Sequence, residues 1–262
     1  MTFETLEIDV TEGVATITLM RPNDANAMNG AMLSEIWEAA LICEEDPAIR
    51  AVIITATGKM FCAGGDLKEF NGKDDGLPAF VTRYATLLHA GITRFQRMDA
   101  PVIIAVNGVA AGAGLSLVAS GDVVLAADNA VFVSAYTASG LTPDGSSTYF
   151  LAKHIGLMRA KEMVLLNRKL TAQEACDWGL VTRVVAGDDL LAEAQAMAKG
   201  FAKGATKAYG GAKRLLLSAF NETLETQLEK ETVSIADMAR TRDGRHGINA
   251  FANGQKPEFQ GD

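Results

Sequence analysis

Two apolar segments of this sequence each run into a glycine-rich turn and then into a predicted helix, and this repeated plan most restricts the fold. Residues 51–56 (AVIITA) precede the turn at residues 61–67 (FCAGGDL). Residues 102–106 (VIIAV) lead directly into residues 106–114 (VNGVAAGAG). Short runs rich in β-branched residues and bounded by glycine predict buried strands. Strands that alternate with helices favour an α/β fold.

The segments around these two units extend the same pattern. Near the start of the chain, β-branched and polar residues alternate in residues 6–9 and 14–19, which predicts a hairpin that turns at Glu12 and Gly13. Further strands are predicted over residues 122–127 and 130–133, and helices over residues 32–41 and about 79–98. Three similar units in a row predict a spiral of strand-strand-helix turns.

The C-terminal part of the chain lacks strand signals and is predicted to be helical. Helices are predicted over residues 190–203, 205–220, 223–239 and 242–251. We therefore predict two parts: a spiral α/β core over residues 1–189 and a helical region over residues 190–262.

Composition and charge exclude several classes of protein. The 262 residues are 48% hydrophobic and 21% charged, as in ordinary globular domains, and the net charge is −8. Because sequence-independent binding to nucleic acid relies on lysine and arginine, this charge argues against a nucleic-acid partner.

Cys43, Cys62 and Cys176 lack the spacing of metal ligands, so we expect reduced thiols. Because the first ten residues also lack the features of a secretory signal, we expect a cytoplasmic protein.

One uncharged stretch, residues 100–121, is long enough to span a bilayer. It is interrupted by Pro101, Asn107 and four glycines, and it contains few large side chains. We therefore predict a buried strand, a turn and a helix here, and no membrane partner.

The two glycine-rich turns are candidate sites for negative charge. Each follows a strand and precedes a helix, so its free N–H groups and the helix dipole can hold an anionic oxygen. Two such turns could converge on one oxygen. Neither turn has the spacing of a P-loop or of a dinucleotide fingerprint. The alternative, that the glycines only permit tight turns, stays open at this point.

Four blocks of the chain, in order, resemble the crotonase, or enoyl-CoA hydratase/isomerase, superfamily. Residues 61–67 and 106–114 resemble its paired signatures, residues 21–29 (RPNDANAMN) its early loop that contacts coenzyme A, and residues 170–181 its late helix-strand block. The resemblance extends over nearly the whole chain. It implies the crotonase (ClpP-like) spiral, with a C-terminal helical region that forms a homotrimer or a dimer of trimers and helps to close the coenzyme A pocket.

The resemblance also implies the ligand and its contacts. The substrate would be an acyl-CoA thioester, with no metal and no separate cofactor, because coenzyme A is part of the substrate. Gly65 and Ala113 occupy the positions whose backbone N–H groups form the oxyanion hole. Implied contacts with the substrate or with coenzyme A are Ala25, Ala27, Ala63, Asp66, Leu67, Lys68, Tyr136, Phe251 and Lys256. The last two often come from a neighbouring subunit.

Acid–base residues decide the reaction within this family. Hydratases use two glutamates, and the matching positions here hold Ser116 and Tyr136. Neither can act as an efficient base at neutral pH, since serine is unactivated and tyrosine titrates near ~10. Asp144 stands where several isomerases carry their acidic residue. One carboxylate suffices to move a proton along an enolate, so an isomerase is predicted. The nearest branch is that of phenylacetate catabolism, whose isomerases convert a ring epoxide of phenylacetyl-CoA to an oxepin and also shift Δ3 double bonds to Δ2, and the resemblance does not choose between these substrates.

Other activities of the superfamily remain open. In 4-chlorobenzoyl-CoA dehalogenases an aspartate attacks the ring, an aromatic residue lies eight positions earlier and a histidine on the preceding helix activates water. Asp144, Tyr136 and His89 match this pattern, although Tyr136 replaces a tryptophan and Gly65 replaces a bulky aromatic residue. The remaining alternatives are weak hydration, hydrolysis of a CoA ester, and a non-catalytic member that binds acyl-CoA or RNA.

Overall fold

The computed structural model describes residues 3–262, and within them the strands and helices alternate as predicted. The strands are β1 (Leu6–Thr11), β2 (Val14–Leu19), β3 (Ala51–Ala56), β4 (Met60–Cys62), β5 (Val102–Val106), β6 (Val109–Ala111), β7 (Val123–Ala127), β8 (Val131–Val133), β9 (Leu170–Thr171) and β10 (Arg183–Val185). The helices are α1 (Gly30–Glu45), α2 (Leu67–Phe70), α3 (Leu77–Arg97), α4 (Ala113–Ala119), α5 (Ser147–Ile155), α6 (Leu157–Leu165), α7 (Ala172–Trp178), α8 (Leu190–Ala202), α9 (Thr206–Ser218), α10 (Leu224–Arg240) and α11 (Arg242–Ala252).

The N-terminal hairpin forms with the predicted turn. Thr11 pairs with Val14, so the loop has two residues, Glu12 and Gly13. Their φ angles are 52° and 77°, and two positive φ angles are characteristic of the type I′ turn that fits the twist of a hairpin. The predicted hairpin is therefore confirmed.

The larger sheet has six strands in the order β1-β2-β3-β5-β7-β10. Only the β1–β2 pair is antiparallel, and the other neighbours run parallel. Both faces of the central strands are buried. Val52 and Ile54 face the main core with α1 and α3, whereas Ile53 faces a second cluster with α8. Burial on both faces explains why these strands read as continuous apolar runs.

A smaller sheet of four strands, in the order β4-β6-β8-β9, lies beside the first and was not predicted. Of its strands only β8 was predicted, as residues 130–133; β4, β6 and β9 have two or three residues each, too few to give a periodic signal. β4, β6 and β8 are parallel neighbours. Each turn of the spiral therefore adds one strand to each sheet, and the predicted strand-strand-helix plan is confirmed.

The C-terminal helices begin within one or two residues of their predicted positions. α8 lays Leu190, Ala194 and Ala198 on the large sheet, which joins the region that starts at residue 190 to the core. A second link is the ammonium group of Lys213 on α9, which lies 2.7 Å from the Asp122 carboxylate just before β7. The division into residues 1–189 and 190–262 stays a prediction.

The uncharged stretch at residues 100–121 contains β5, β6 and α4, and its side chains are largely buried in the core. The predicted strand, turn and helix are thus present. Across residues 3–262, every helix is too short or too polar to cross a bilayer.

Candidate active site

Three neighbouring strands of the small sheet end at one place and deliver the candidate site residues. β4 leads into residues 63–65, β6 into residues 112–113 and β8 into residues 134–136. Because β4, β6 and β8 are parallel, their carboxyl ends lie at the same edge of the sheet. In open α/β sheets this is the edge at which ligands bind.

The turns after β4 and β6 pack against each other through glycine. Gly64 has a φ angle of 101°, which favours glycine. A methyl group on Gly64 would lie 3.1 Å from the Ala111 oxygen and 3.3 Å from the Ala113 nitrogen. A larger residue at Gly64 would therefore push the two turns apart by a few tenths of an ångström.

The backbone N–H groups of Gly65 and Ala113 remain free. Met28 pairs with the first turn through the Gly64 oxygen and the Asp66 N–H, which leaves the Gly65 N–H unused. Ala113 begins α4, and the N–H groups of a first helical turn have no acceptor within the helix. Among residues 3–262, neither N–H has a protein acceptor. Both can donate to an oxygen that develops negative charge.

A strained turn after β8 positions Tyr136. The Tyr136 N–H donates to the Ser134 oxygen at 2.8 Å, and Ala135 between them has a φ angle of 60°. This γ-turn with a positive central φ is a rare and strained conformation. It ends β8 abruptly, and the Tyr136 hydroxyl lies between Ser116 on α4 and Asp144.

Asp144 lies just before α5, where Tyr136 and Ser116 hold it. The Tyr136 hydroxyl donates to Asp144 Oδ1 at 2.7 Å. Ser116 Oγ lies 2.8 Å from that hydroxyl and 2.9 Å from the backbone oxygen of Asp144. Burial, together with the charge of Asp144, raises the pKa of Tyr136, so its hydroxyl keeps the hydrogen that it donates. Tyr136 thus holds the carboxylate of Asp144, and Ser116 holds its backbone.

His89 on α3 also lies at the site. Its Nε2 accepts from the Gly145 N–H at 3.0 Å and lies 3.8 Å from Asp144 Oδ2. A ring nitrogen that accepts a hydrogen bond carries no proton, so the same atom does not donate to Asp144. At 3.8 Å the second approach is also too long for a hydrogen bond. His89 therefore holds the Asp144 loop through Gly145, a contact that the sequence did not reveal.

These groups share one cavity of about 490 Å³. Gly65, Ala113, Tyr136, His89 and Asp144 all line it. Its remaining lining is mostly apolar and includes Met28, Leu33, Leu67, Phe70, Val81, Tyr84, Ala85, Leu88 and Leu141. A mostly apolar cavity with a few converging polar groups is the expected form of a site for an acyl group.

The early loop is fixed to β4 by Asn26. Its side chain accepts from the Arg21 N–H at 2.8 Å and donates to the Thr57 and Met60 oxygens at 2.8 and 2.9 Å. Asn26 is fully buried and has a φ angle of 51°, a conformation that asparagine tolerates better than most residues. Asn26 lies in the block that resembles the early loop, but its role as an anchor of that loop is not apparent from the sequence.

The predicted contacts with substrate and coenzyme A fall into three groups. Ala63, Leu67 and Tyr136 line the cavity. Ala25, Ala27, Asp66 and Lys68 lie beside it around the early loop, where Asp66 pairs with Arg21 at 3.0 Å and the exposed Lys68 pairs with Asp24 at 2.8 Å. Phe251 and Lys256 are exposed near the C-terminus and do not line the cavity. Their predicted roles remain predictions.

Comparison with known proteins agrees with this geometry. The family described as Enoyl-CoA hydratase/isomerase matches residues 9–262. The 1,2-epoxyphenylacetyl-CoA isomerase of Escherichia coli (strain K12) is 38% identical, over 96% of this chain and 97% of that protein. The 4-chlorobenzoyl coenzyme A dehalogenase-1 of Arthrobacter sp is 34% identical, over 88% of this chain and 84% of that protein. The crystal structure of an enoyl-CoA hydratase from Polaromonas sp. JS666 superposes with a TM-score of 0.92 at 34% identity, over 97% of this chain and 99% of that one.

The protein combines a spiral of strand-strand-helix turns with two free backbone N–H groups at an apolar cavity. This combination defines the class: an enzyme of the crotonase type, which binds acyl-CoA. The chain belongs to the enoyl-CoA hydratase/isomerase family of the crotonase superfamily. The predicted family and fold class are confirmed, and the family's substrates are acyl-CoA thioesters. Its relatives include isomerases, hydratases and dehalogenases, so membership alone does not specify the reaction.

We predict that Gly64→Ala lowers kcat for an acyl-CoA substrate by about 10²-fold, because a methyl group at this position separates the two turns and misplaces one N–H donor. Gly156→Ala is the matched control, since Gly156 also has a positive φ, 78°, but no neighbour within 4 Å of the added methyl. Steady-state kinetics check the prediction, with circular dichroism to verify folding. An equal loss of kcat in Gly64→Ala and Gly156→Ala would contradict the prediction that these two turns supply the N–H donors.

Proposed function

We propose that this protein is an enoyl-CoA isomerase, which moves the double bond of a β,γ-unsaturated acyl-CoA into conjugation with the thioester. Asp144 takes a proton from the carbon next to the thioester carbonyl, and the electron pair left behind forms an enolate. The N–H groups of Gly65 and Ala113 donate to the enolate oxygen. Asp144 then returns the proton two carbons along, and the carbonyl re-forms. The reaction balances without a metal or redox cofactor, and coenzyme A enters with the substrate.

The observation that carries this proposal is the position of Asp144. Among the described residues that line the cavity, it provides the only carboxylate, and it shares that cavity with both predicted oxyanion donors. Tyr136 occupies Oδ1 at 2.7 Å, which leaves Oδ2 as the oxygen for the substrate proton. A single base that serves both carbons is what a 1,3-proton shift requires.

The same surroundings argue against efficient hydration. Hydration needs a base to activate water and an acid to protonate carbon. The hydroxyls of Ser116 and Tyr136 are engaged with each other and with Asp144. The raised pKa of Tyr136 also makes it a poor base at neutral pH. Similarity to the 1,2-epoxyphenylacetyl-CoA isomerase supports an isomerase as well.

Asp144→Asn is expected to lower isomerase kcat by about 10²–10⁴-fold, because asparagine accepts no proton from carbon. The isomerisation of a β,γ-enoyl-CoA can be followed by the ultraviolet absorbance of the conjugated product. The exposed Asp188 provides the control variant Asp188→Asn, which should retain full activity. Binding of a saturated acyl-CoA should be equal in all three proteins. Turnover by Asp144→Asn at the wild-type rate would refute the proposal.

A dehalogenase-like reaction is the second candidate, and His89 is the observation that favours it. In that reaction Asp144 attacks an aryl-CoA ring, chloride leaves, and His89 activates the water that hydrolyses the aryl ester. His89 Nε2 lies 3.8 Å from Asp144 Oδ2, on the open side of the carboxylate. However, Nε2 is engaged by the Gly145 N–H at 3.0 Å, so its lone pair is not available to water in this arrangement. We therefore favour the isomerase.

His89→Gln separates these two candidates, because the glutamine amide oxygen can still accept from the Gly145 N–H. For an isomerase, kcat should fall by less than about tenfold, which is below the usual contribution of a catalytic base. For a dehalogenase, the variant should stall after releasing one chloride per site from a 4-halobenzoyl-CoA. Chloride release and enoyl isomerisation by the wild-type protein and the variant provide the test. A large loss of isomerisation would assign His89 a direct role in the proton transfer.

We also propose that the protein assembles as a homotrimer or a dimer of trimers. α9, α10 and the residues that join them carry exposed apolar side chains at Leu216, Phe220, Leu224, Leu228, Val233 and Ile235. Apolar surface of this kind is typical of contacts between subunits. In the proposed assembly, Phe251 and Lys256 of one subunit approach the coenzyme A site of another, and Lys68 contacts the nucleotide from within its own subunit.

Light scattering coupled to size exclusion is expected to give the mass of three or six chains. Leu216→Glu together with Phe220→Glu should reduce that mass, since charges at an apolar interface oppose association. The surface control Val10→Glu, at an exposed residue of the edge strand β1, should leave the mass unchanged. A monomer at all concentrations of wild-type protein would contradict the proposed assembly.

A further inference from the structure

One wall of the cavity is formed by α2, and this helix has few anchors of its own. It has four residues and no buried side chain, yet Leu67 and Phe70 line the cavity. Its start is fixed by Asp66, which accepts from the Lys68 N–H and pairs with Arg21. The far end of α2 has to be held in place by other contacts.

Glu69 supplies those contacts. Its Oε2 accepts from the Gly30 N–H at 3.1 Å and also from the Tyr84 hydroxyl. Gly30 begins α1, and Tyr84 lies on α3, so a single carboxylate oxygen joins three helices. Burial raises the pKa of Tyr84 to about 12, so the hydroxyl remains a donor at any working pH.

α2 is the movable member of this group. α1 and α3 pack so closely that a methyl group on Gly91 would lie 3.0 Å from Ile36. A close crossing of two long helices leaves little room for them to shift. If the bonds of Glu69 were broken, α2 would therefore move before α1 or α3.

The position of α2 determines where Phe70 stands in the cavity wall. The ring of Phe70 packs edge-on against Phe80 and Tyr84, with centroid distances of 5.5 and 5.7 Å. The same ring would lie 3.3 Å from a methyl group on Gly65. Phe70 thus extends from the predicted oxyanion donor to the aromatic side chains of α3.

We propose that the hydrogen bond between Glu69 and Tyr84 is a latch that closes the acyl end of the cavity and limits the length of the acyl group. This inference rests on the proposed function only in taking the cavity as the acyl pocket. With the latch closed, Phe70 and Tyr84 end the cavity, and short or compact acyl groups fit within it. A long chain must displace α2 and break both bonds to Glu69. Glu69 and Tyr84 are therefore positioning residues that select acyl length.

Tyr84→Phe removes the hydroxyl and keeps the ring, so it tests the latch directly. Isothermal titration calorimetry with saturated hexanoyl-CoA and dodecanoyl-CoA measures binding without any reaction. In the wild type a long chain must break the hydrogen bond between Glu69 and Tyr84 when it binds, whereas in the variant this bond is already absent. The variant is therefore expected to bind dodecanoyl-CoA about tenfold more tightly than the wild type, a difference that corresponds to one charge-assisted hydrogen bond. Its affinity for hexanoyl-CoA should change by much less than tenfold, because a short chain does not require α2 to move.

A second variant opens the latch without altering either of its side chains. A methyl group on Gly30 would lie 2.8 Å from the Tyr84 oxygen, so Gly30→Ala should change the length preference in the same direction as Tyr84→Phe. The control variant Tyr209→Phe, on α9 and outside the cavity, should have the same acyl-length preference as the wild type. Wild-type length preference in both Tyr84→Phe and Gly30→Ala would overturn the latch. Since no turnover is needed, this result is independent of whether Asp144 proves to be the base.

Discussion

The parallel pairing of β4, β6 and β8 is the constraint on which the site depends. Because three neighbouring strands point the same way, the turns that follow them must meet at one edge of the small sheet. Two of those turns leave backbone N–H groups free, and the third presents Tyr136. The large sheet and its helices supply the buried area that holds these short strands in register, since strands of three residues have little stability alone. The stability of the fold and the geometry of the site are therefore coupled.

In this arrangement the backbone and the side chains are proposed to have different roles. The groups proposed to stabilise the enolate belong to the backbone and depend on turn geometry, which Gly64 secures by close approach. The groups proposed to decide what becomes of the enolate are side chains around Asp144. The Tyr136 hydroxyl donates to the Asp144 carboxylate, and Ser116 Oγ lies against that hydroxyl and the Asp144 backbone oxygen. These hydroxyls fix Asp144 without engaging the backbone N–H groups of Gly65 and Ala113.

The sequence predicted the long elements well and the short ones poorly, for physical reasons. β3 and β5 have both faces buried and read as unbroken apolar runs, and the C-terminal helices carry a clear periodicity. β4 and β6 are too short for any period, so the second sheet was missed. Gly65, Ala113 and Asp144 lie in recognisable blocks, so the sequence could single them out; they line one cavity, and their catalytic roles remain predictions. The roles of His89, Glu69 and Asn26 were missed because each depends on a partner far along the chain, such as Gly145, Tyr84 or Met60. Local patterns carry no information about such pairs.

The contacts of Asp144 also bear on why this aspartate, and no nearby group, would move the proton. His89 is close enough to compete, but the Gly145 N–H occupies its Nε2. Tyr136 is closer still, but burial and the charge of Asp144 raise its pKa and keep its proton in place. Each neighbour is thus committed to a hydrogen bond that fixes the loop or the carboxylate. Among Asp144, Tyr136 and His89, only Oδ2 of Asp144 combines an open lone pair with access to the cavity, which supports Asp144 as the proposed base.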